Sequence, residues 1–488
     1  MKGYVKMALV VCLLFGMFSC SDSYEKDDPV IYVDAPTDTT MLYISNDRIK
    51  LGVDLTLGGA VTYLSDELNG GENMVNSYDW GRQIQLSFYS GPWPFIGPNG
   101  EEPAPEWVSL GWNPIQSGDA GGNRSQTVFY EKRGDNVIFL RCIPMQWPHK
   151  TGVASECFFE CLYTLKDNVI KMEASILNDR SDVTQYRASP QEMPAIYTNG
   201  PWYKLVTYLG DKPFTGQPTT TLVDKDDSKG WPWSHFYTPE SWAALVDDSG
   251  LGVGVFQPQV MDFNGGFHPG DSFKGRGGEK DGQTGHIAPV GRQILDHNIR
   301  WTYTTYLILG TVDDVRSFAL ENRELNVKWE FTNSRESWYY DGGAKDSGYP
   351  IDGALKMQFN RNSSLVSPVT FWNASEAPVL EIEGAFTTSD GNLDVVVELQ
   401  PFSGADLTSW LNWSEGSANV DEEKRIKKDK FPSKYPIRHT YTLVADGKSK
   451  KHRLSLTSIS SYQGGMKSVK LFFNKPGQAN ITKIELGK

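Results

Sequence analysis

The chain has 488 residues, of which 39% are hydrophobic and 22% charged, too many for one core, so two domains of unequal size are expected. A net charge of −13 argues against nucleic acid as a partner, because phosphate binding needs a concentrated basic face. The 12% aromatic content, with 47 Gly and 27 Pro, fits an all-β chain of short strands, and flat exposed rings suit the apolar faces of sugars.

Lys2 and Lys6 precede an apolar run from Met7 to Phe18. A positive head and about a dozen apolar residues form a secretory signal, and such a run falls short of the ~20 residues of a spanning helix. The run ends at Met17-Phe18-Ser19-Cys20, which resembles the lipobox of bacterial lipoproteins and implies lipidation of Cys20. Asp22, Glu25, Asp27 and Asp28 follow in a polar stretch. This acidic tract resembles the surface-export signal of Gram-negative polysaccharide degraders. It implies an outer-membrane protein held by a lipid anchor and facing the exterior. Residues 1–19 are thus read as a signal peptide and 20–39 as a tether.

Beyond residue 40, period-two alternation predicts strands near 41–45, 49–55, 83–89, 127–131, 137–143, 156–165, 169–177, 205–209, 242–247, 252–257 and 301–309. Lys166-Asp167-Asn168 reads as a hairpin loop between two of them. Thr311 can cap the one convincing helix, with Asp313 and Asp314 in its first turn. Residues 336–353 are rich in Ser, Gly, Asp and Tyr and read as a linker. Short strands resume over 354–488, near 355–359, 379–383, 393–399, 439–444, 454–458, 469–473 and 481–486, and fit a second, smaller β-sandwich.

Five cysteines occur, and Cys142, Cys157 and Cys161 remain after the signal and the lipid site. Residues four apart on one strand lie ~13 Å apart, beyond the ~7 Å limit of a disulfide. At most one bridge can form, from Cys142 to Cys157 or Cys161. No zinc spacing is present, so no cofactor is expected and a structural calcium ion is left open.

Several segments carry candidate chemistry. In Glu156-Cys157-Phe158-Phe159-Glu160-Cys161, alternation puts both glutamates on one face and Cys157, Phe159, Cys161 and Tyr163 on the other. In Arg187-Ala188-Ser189-Pro190-Gln191-Glu192-Met193-Pro194, two prolines stiffen the backbone around Glu192, which reads as a glutamate on a rigid loop among apolar neighbours. Such a residue is suited to general acid work, with Glu156 or Glu160 as base or nucleophile. His149 and His297 are the candidates for acid/base or orienting roles, with His149 and His235 orienting or assisting the carboxylates. Asp79 and Arg82 can pair and grip hydroxyls or a carboxylate. Trp231, Trp233 and His235, in Trp231-Pro232-Trp233-Ser234-His235-Phe236-Tyr237, suggest a sugar-stacking loop, and the glycine-rich 264–278 a cleft edge. No G-x-S-x-G elbow is present, which argues against serine-hydrolase chemistry.

With Gly58-Gly59-Ala60-Val61-Thr62-Tyr63-Leu64 following a strand and a long series of polar-faced strands after it, residues 40–335 resemble the galactose mutarotase-like β-supersandwich. That family includes aldose epimerases, glycoside hydrolases and polysaccharide lyases. The epimerases' paired histidines and late glutamate find no match here, so simple epimerisation is not implied. Residues 354–488 resemble a carbohydrate-binding β-sandwich (jelly-roll) accessory domain, with Trp372, Trp410 and Trp413 as candidate stacking rings. The resemblance implies a carbohydrate-active enzyme on polysaccharide or oligosaccharide. A glycoside hydrolase comes first, a polysaccharide lyase second. The alternative outside enzymes is a glycan-binding lipoprotein serving an outer-membrane glycan transporter.

Overall fold

A computed structural model describes residues 40–210, 212–223, 234–268, 275–324, 327–348, 350–402 and 435–487. Among them the strands form three sheets, of ten, nine and eleven strands, and every pairing is antiparallel. Cys20, Trp231, Trp233, Trp410 and Trp413 lie outside the described residues.

The ten-stranded and nine-stranded sheets face each other across one apolar core. Alternation builds it: Cys157, Phe159, Cys161 and Tyr163 point inward from one strand, and Ile170, Met172, Ala174 and Ile176 from its neighbour. Phe88 joins the layers, meeting Phe159 edge to face at 5.1 Å and Trp301 at 5.8 Å. Such ring pairs add roughly 0.5–1.5 kcal/mol beyond the burial of their area. The three inward cysteines are free and buried, without the bridge that the spacing left open. Burial pushes the Cys161 thiol up to about 12, so it stays protonated and inert.

The helix is Val312–Glu321, and Thr311 and Asp314 complete a reciprocal capping box at its start. Val315 and Ala319 bury against Val206, Trp242, Ala244 and Ile308 on the outer side of the nine-stranded sheet. This covers one end of that sheet. Elsewhere its outer face carries ion pairs, Lys171 with Glu173 and Arg141 with Glu160.

The third sheet folds around its own core and is organised by the long strand Val379–Pro401. The first half of that strand pairs with Gly477–Gly487 and Lys450–Ser455, the second with Gly465–Phe473 and Ile437–Asp446. Two separately predicted strands are therefore one. Val327–Glu330, Tyr339–Asp341 and Lys345–Asp346 also belong to this sheet, so the stretch expected as a linker supplies strands to it. Trp372 is buried and its indole N–H donates to Tyr462 OH at 2.9 Å, which makes it core rather than a stacking platform.

Arg335 fastens the second sandwich to the first. Fully buried, it donates to Ile294 O at 3.1 Å and to Asp296 Oδ2 at 3.0 Å, and it also pairs with Asp346. Asn298 reaches the same Asp346 at 3.1 Å, and Gln185 accepts the Asp346 amide at 2.8 Å. Removing one partner of a buried pair strands a charge out of water, at about 3–5 kcal/mol. Asp296→Ala is expected to lose that much in urea unfolding, whereas Lys171→Ala on the exposed face should lose about 1 kcal/mol or less.

Candidate active site

The strand Ser189–Thr198 lies at the centre of the ten-stranded sheet, between Ile84–Ser87 and Thr284–Gln293. The sequence suggests a stiff loop here, because Pro190 and Pro194 cannot donate to a ladder. The structure makes it a strand with a bulge. Glu192 stands opposite Val290 and Ile196 opposite Ile287, so this strand spends one residue more than its partner. The extra residue resets the alternation, and Glu192 and Tyr197 share a face despite their odd spacing. Ile196 joins Ile84 and Ile287 in the core.

Where proline removes ladder donors, a side chain replaces them. Gln191 accepts from Tyr89 N at 2.7 Å and donates to Tyr89 O at 2.7 Å, reproducing a strand pairing with an amide side chain. This fixes Tyr89 beside Glu192. The Tyr89 hydroxyl donates to Glu192 Oε2 at 3.2 Å, and Ser87 Oγ donates to the Tyr89 hydroxyl at 3.0 Å. His286 Nε2 lies 3.2 Å from Glu192 Oε1, and the His286 ring packs on Tyr197 with centroids 4.6 Å apart. Burial first, and then the nearby Glu192 charge, push both tyrosine hydroxyls well above their usual range. They keep their protons and can act as donors.

Two charged pairs flank this cluster. Asp79 Oδ2 meets Arg82 Nε at 3.1 Å, and Arg82 also donates to Gly282 O at 2.7 Å and covers the Tyr78 ring. Tyr197 feels both charges, which brings this predicted pair close to Glu192. On the other side, His235 Nδ1 lies 2.9 Å from Asp262 Oδ1 on paired strands Ser234–Tyr237 and Asp262–His268. Asn264, opposite His235, has a buried Oδ1 without a hydrogen-bond partner among the described residues.

Of the expected residues, Asp79 and Arg82 thus lie near Tyr197, and His235 lies near Glu192, on the polar side of the ten-stranded sheet. Others lie elsewhere. Glu160 belongs to the opposite sheet, where Arg141 holds it at 2.8 Å and Arg300 lies 3.5 Å away. Glu156 accepts from the Ser181 hydroxyl at 3.0 Å on that same sheet's side. The apolar core separates both from Glu192, so neither can share a reacting atom with it. His149 is buried with its ring edge-to-face on Phe95 at 5.5 Å, and burial lowers its pKa, which suits a packed, neutral ring. Tyr89, His286, Asp262 and Asn264 are the additions. Thr284, His286, Ala288, Val290 and Arg292 do alternate, but Gly285 and Pro289 among them hide a strand.

No protein-family model matches the chain, and no curated protein does. Among solved structures the chain is similar to a galactose mutarotase related enzyme from Lactobacillus acidophilus. The identity is 13% over 56% of this chain and 99% of that one, with a TM-score of 0.32. It is similar to an α-galactosidase from Geobacillus stearothermophilus at 10% identity, over 56% of this chain and 40% of the other, with a TM-score of 0.30. A polysaccharide lyase matches at 9% identity over 65% of this chain and 44% of its own, with a TM-score of 0.29. A likeness of this size carries no chemistry, which rests on the side chains themselves.

Partial loss of hydration would lower the pKa of His235, whose side chain is still 44% exposed, but the hydrogen bond and charge of Asp262 outweigh it and leave it raised. A raised histidine stabilises the fold below its unfolded pKa of ~6.5 and loses that contribution as pH rises through its folded value. Asp262→Asn should therefore lower the His235 pKa in an NMR titration. An unchanged titration would remove Asp262 as the cause.

Proposed function

We propose that this chain is a carbohydrate-active enzyme that cleaves a glycan by proton transfer centred on Glu192. One observation carries the reading: a buried carboxylate touched by both a tyrosine hydroxyl and a histidine ring, on a polar sheet face. A carboxylate in contact with a hydroxyl and an imidazole suits general acid–base work, since each group can take or return a proton. In a glycoside hydrolase, Glu192 would protonate the leaving oxygen. The second carboxylate would come from the same face, where Asp262 and Asp79 stand, rather than from Glu156 or Glu160.

Elimination is the second reading, favoured by the kind of group in contact with Glu192. Tyr89 and His286 touch it, and no second carboxylate does among the described residues. In a polysaccharide lyase a tyrosine that keeps its proton would protonate the leaving oxygen. His286 would take the proton beside the uronate carboxylate, and Arg82 would offset the charge that develops.

A panel of plant, algal and host glycans separates these outcomes. A hydrolase releases reducing ends alone, a lyase also forms a product absorbing in the ultraviolet, and binding without either product would leave a glycan-binding protein. On a confirmed substrate, Glu192→Gln and His286→Gln should each lower kcat by about 10²–10⁴ while the far-ultraviolet circular dichroism stays unchanged. Full turnover in Glu192→Gln would overturn the assignment.

The proposal places the enzyme outside the cell, tethered through Cys20, as the apolar run and the residues before Cys20 support. One acyl chain binds a membrane only weakly, so stable anchoring needs more than one. Cys20→Ala should move the protein from the membrane fraction to the soluble one and abolish labelling with radioactive palmitate. Unchanged partitioning would mean that Cys20 is no anchor.

A further inference from the structure

Away from the Glu192 face, a cavity of about 430 Å³ opens at the junction of the two sandwiches. Its walls come from the strand Arg300–Thr311, from residues 257–260, from Lys328 and Trp329 of the third sheet, and from Glu336 and Ser337. The size falls within the range of small-molecule sites, roughly 300–1,000 Å³.

Three features set it apart from a packing defect. Gln257 is buried, and its Oε1 has no hydrogen-bond partner among the described residues. A polar atom left this way inside a protein is costly unless something hydrogen-bonds to it. Gln259, Glu336 and Ser337, all in the walls, have φ values of 63°, 49° and 60°, a region that side-chain-bearing residues seldom occupy. The walls also mix aromatic edges from Trp301 and Trp329 with the hydroxyls of Thr302, Thr304 and Ser337.

Charge narrows the ligand. Both lysines in the walls are already neutralised, Lys171 by Glu173 at 2.8 Å and Lys328 by Glu330 at 2.6 Å. Among the described residues, no lining cation is left over to attract an anion. One lining carboxyl, Glu336, is held toward its neutral form by burial. Glu336 is raised to about 7 by burial, with the Ser334 hydrogen bond opposing and the Glu330 charge adding. A protonated carboxyl donates a hydrogen bond, whereas Gln257 Oε1 accepts one.

We propose that this junction cavity is a second binding site, for a neutral hydroxyl-rich ligand of the size of one sugar residue, held between Gln257, Thr304 and Glu336. That the ligand is a sugar rests on the glycan-active reading above, while the existence of the site rests on the cavity alone.

D-galactose serves as the probe, with the full-length Glu192→Gln protein to prevent turnover and D-galacturonate as the charged comparison. Crystals soaked in D-galactose should show the sugar in this cavity. Thr304→Trp, introduced into the same protein, fills the space from the nine-stranded sheet and should remove one bound equivalent in calorimetry without shifting thermal unfolding downward. Affinity at this site should fall about tenfold from pH 6 to pH 8 as Glu336 ionises among Glu324, Glu330, Lys171 and Lys328. Glu336→Gln, which keeps a donor, should flatten that dependence. Water alone in the cavity at saturating sugar would overturn the proposal. So would an unchanged number of bound equivalents in the Thr304→Trp protein, or equal binding of D-galacturonate. A chain that cleaves no glycan yet binds D-galactose here would refute the enzyme reading and leave this site standing.

Discussion

One extra residue in the strand Ser189–Thr198 is the constraint on which the candidate site depends. In an unbroken strand, residues 192 and 197 would face opposite sides, and a carboxylate facing inward would meet Ile84, Ile196 and Ile287. The bulge turns Glu192 to the polar side while Ile196 keeps its place in the core. It also interrupts the ladder where prolines already withhold their donors. The Gln191 amide closes that gap and in doing so positions Tyr89, so the repair of the backbone and the assembly of the site are one device.

The same device recurs along this face. Gln85 accepts from the Ser117 hydroxyl at 2.7 Å and donates to Trp80 O at 3.0 Å, and Gln83 donates to Asp79 O at 2.8 Å. Each glutamine rises from the sheet and fastens a loop above it, which is why these polar residues are fully buried. The outer face of the nine-stranded sheet carries ion pairs instead, Lys171 with Glu173 along one strand and Arg141 with Glu160 between neighbouring strands. A layered polar face can exclude water and hold side chains in fixed directions, as proton transfer requires. An ion-paired face exposed to solvent cannot. That contrast, more than the number of carboxylates, is the ground for proposing the site on the ten-stranded sheet.

Much of the architecture was legible in the sequence because most strands alternate cleanly. The inward set Cys157, Phe159, Cys161 and Tyr163 and the Thr311 cap follow from side-chain direction and capping chemistry alone. The strands of the site were the ones concealed. Proline at 190, 194 and 289, and glycine at 265, 266, 285 and 291, read locally as loop, yet lie inside strands whose neighbours supply the missing order. Glu192 stands out in the sequence all the same, because a glutamate between two prolines is unusual in any setting. Its partners do not, since Tyr89 and His286 are about a hundred residues away on either side and only sheet register joins them. Glu156 and Glu160 stay apart from Glu192 for the opposite reason. Alternation correctly put them on one polar face, but it carries no information about which sheet that face belongs to.

Glu192 and Met193 are adjacent in the chain and face different chambers. Glu192 points to the polar face, while Met193 forms part of the wall of the junction cavity. Room for Met193 comes from Gly291, where an added Cβ would lie 2.8 Å from the Met193 thioether and 3.1 Å from Ser337 Oγ. The neighbouring strand can approach only because that position has no side chain. Ser337 in turn belongs to the segment that begins with Arg335, whose buried pairing with Asp296 and Asp346 ties the second sandwich to the first. The second sandwich therefore bears on the central strand through packed atoms, from the buried guanidinium to Ser337 and Met193. Its attachment supports the strand that carries Glu192, and this gives it a structural task in the first sandwich.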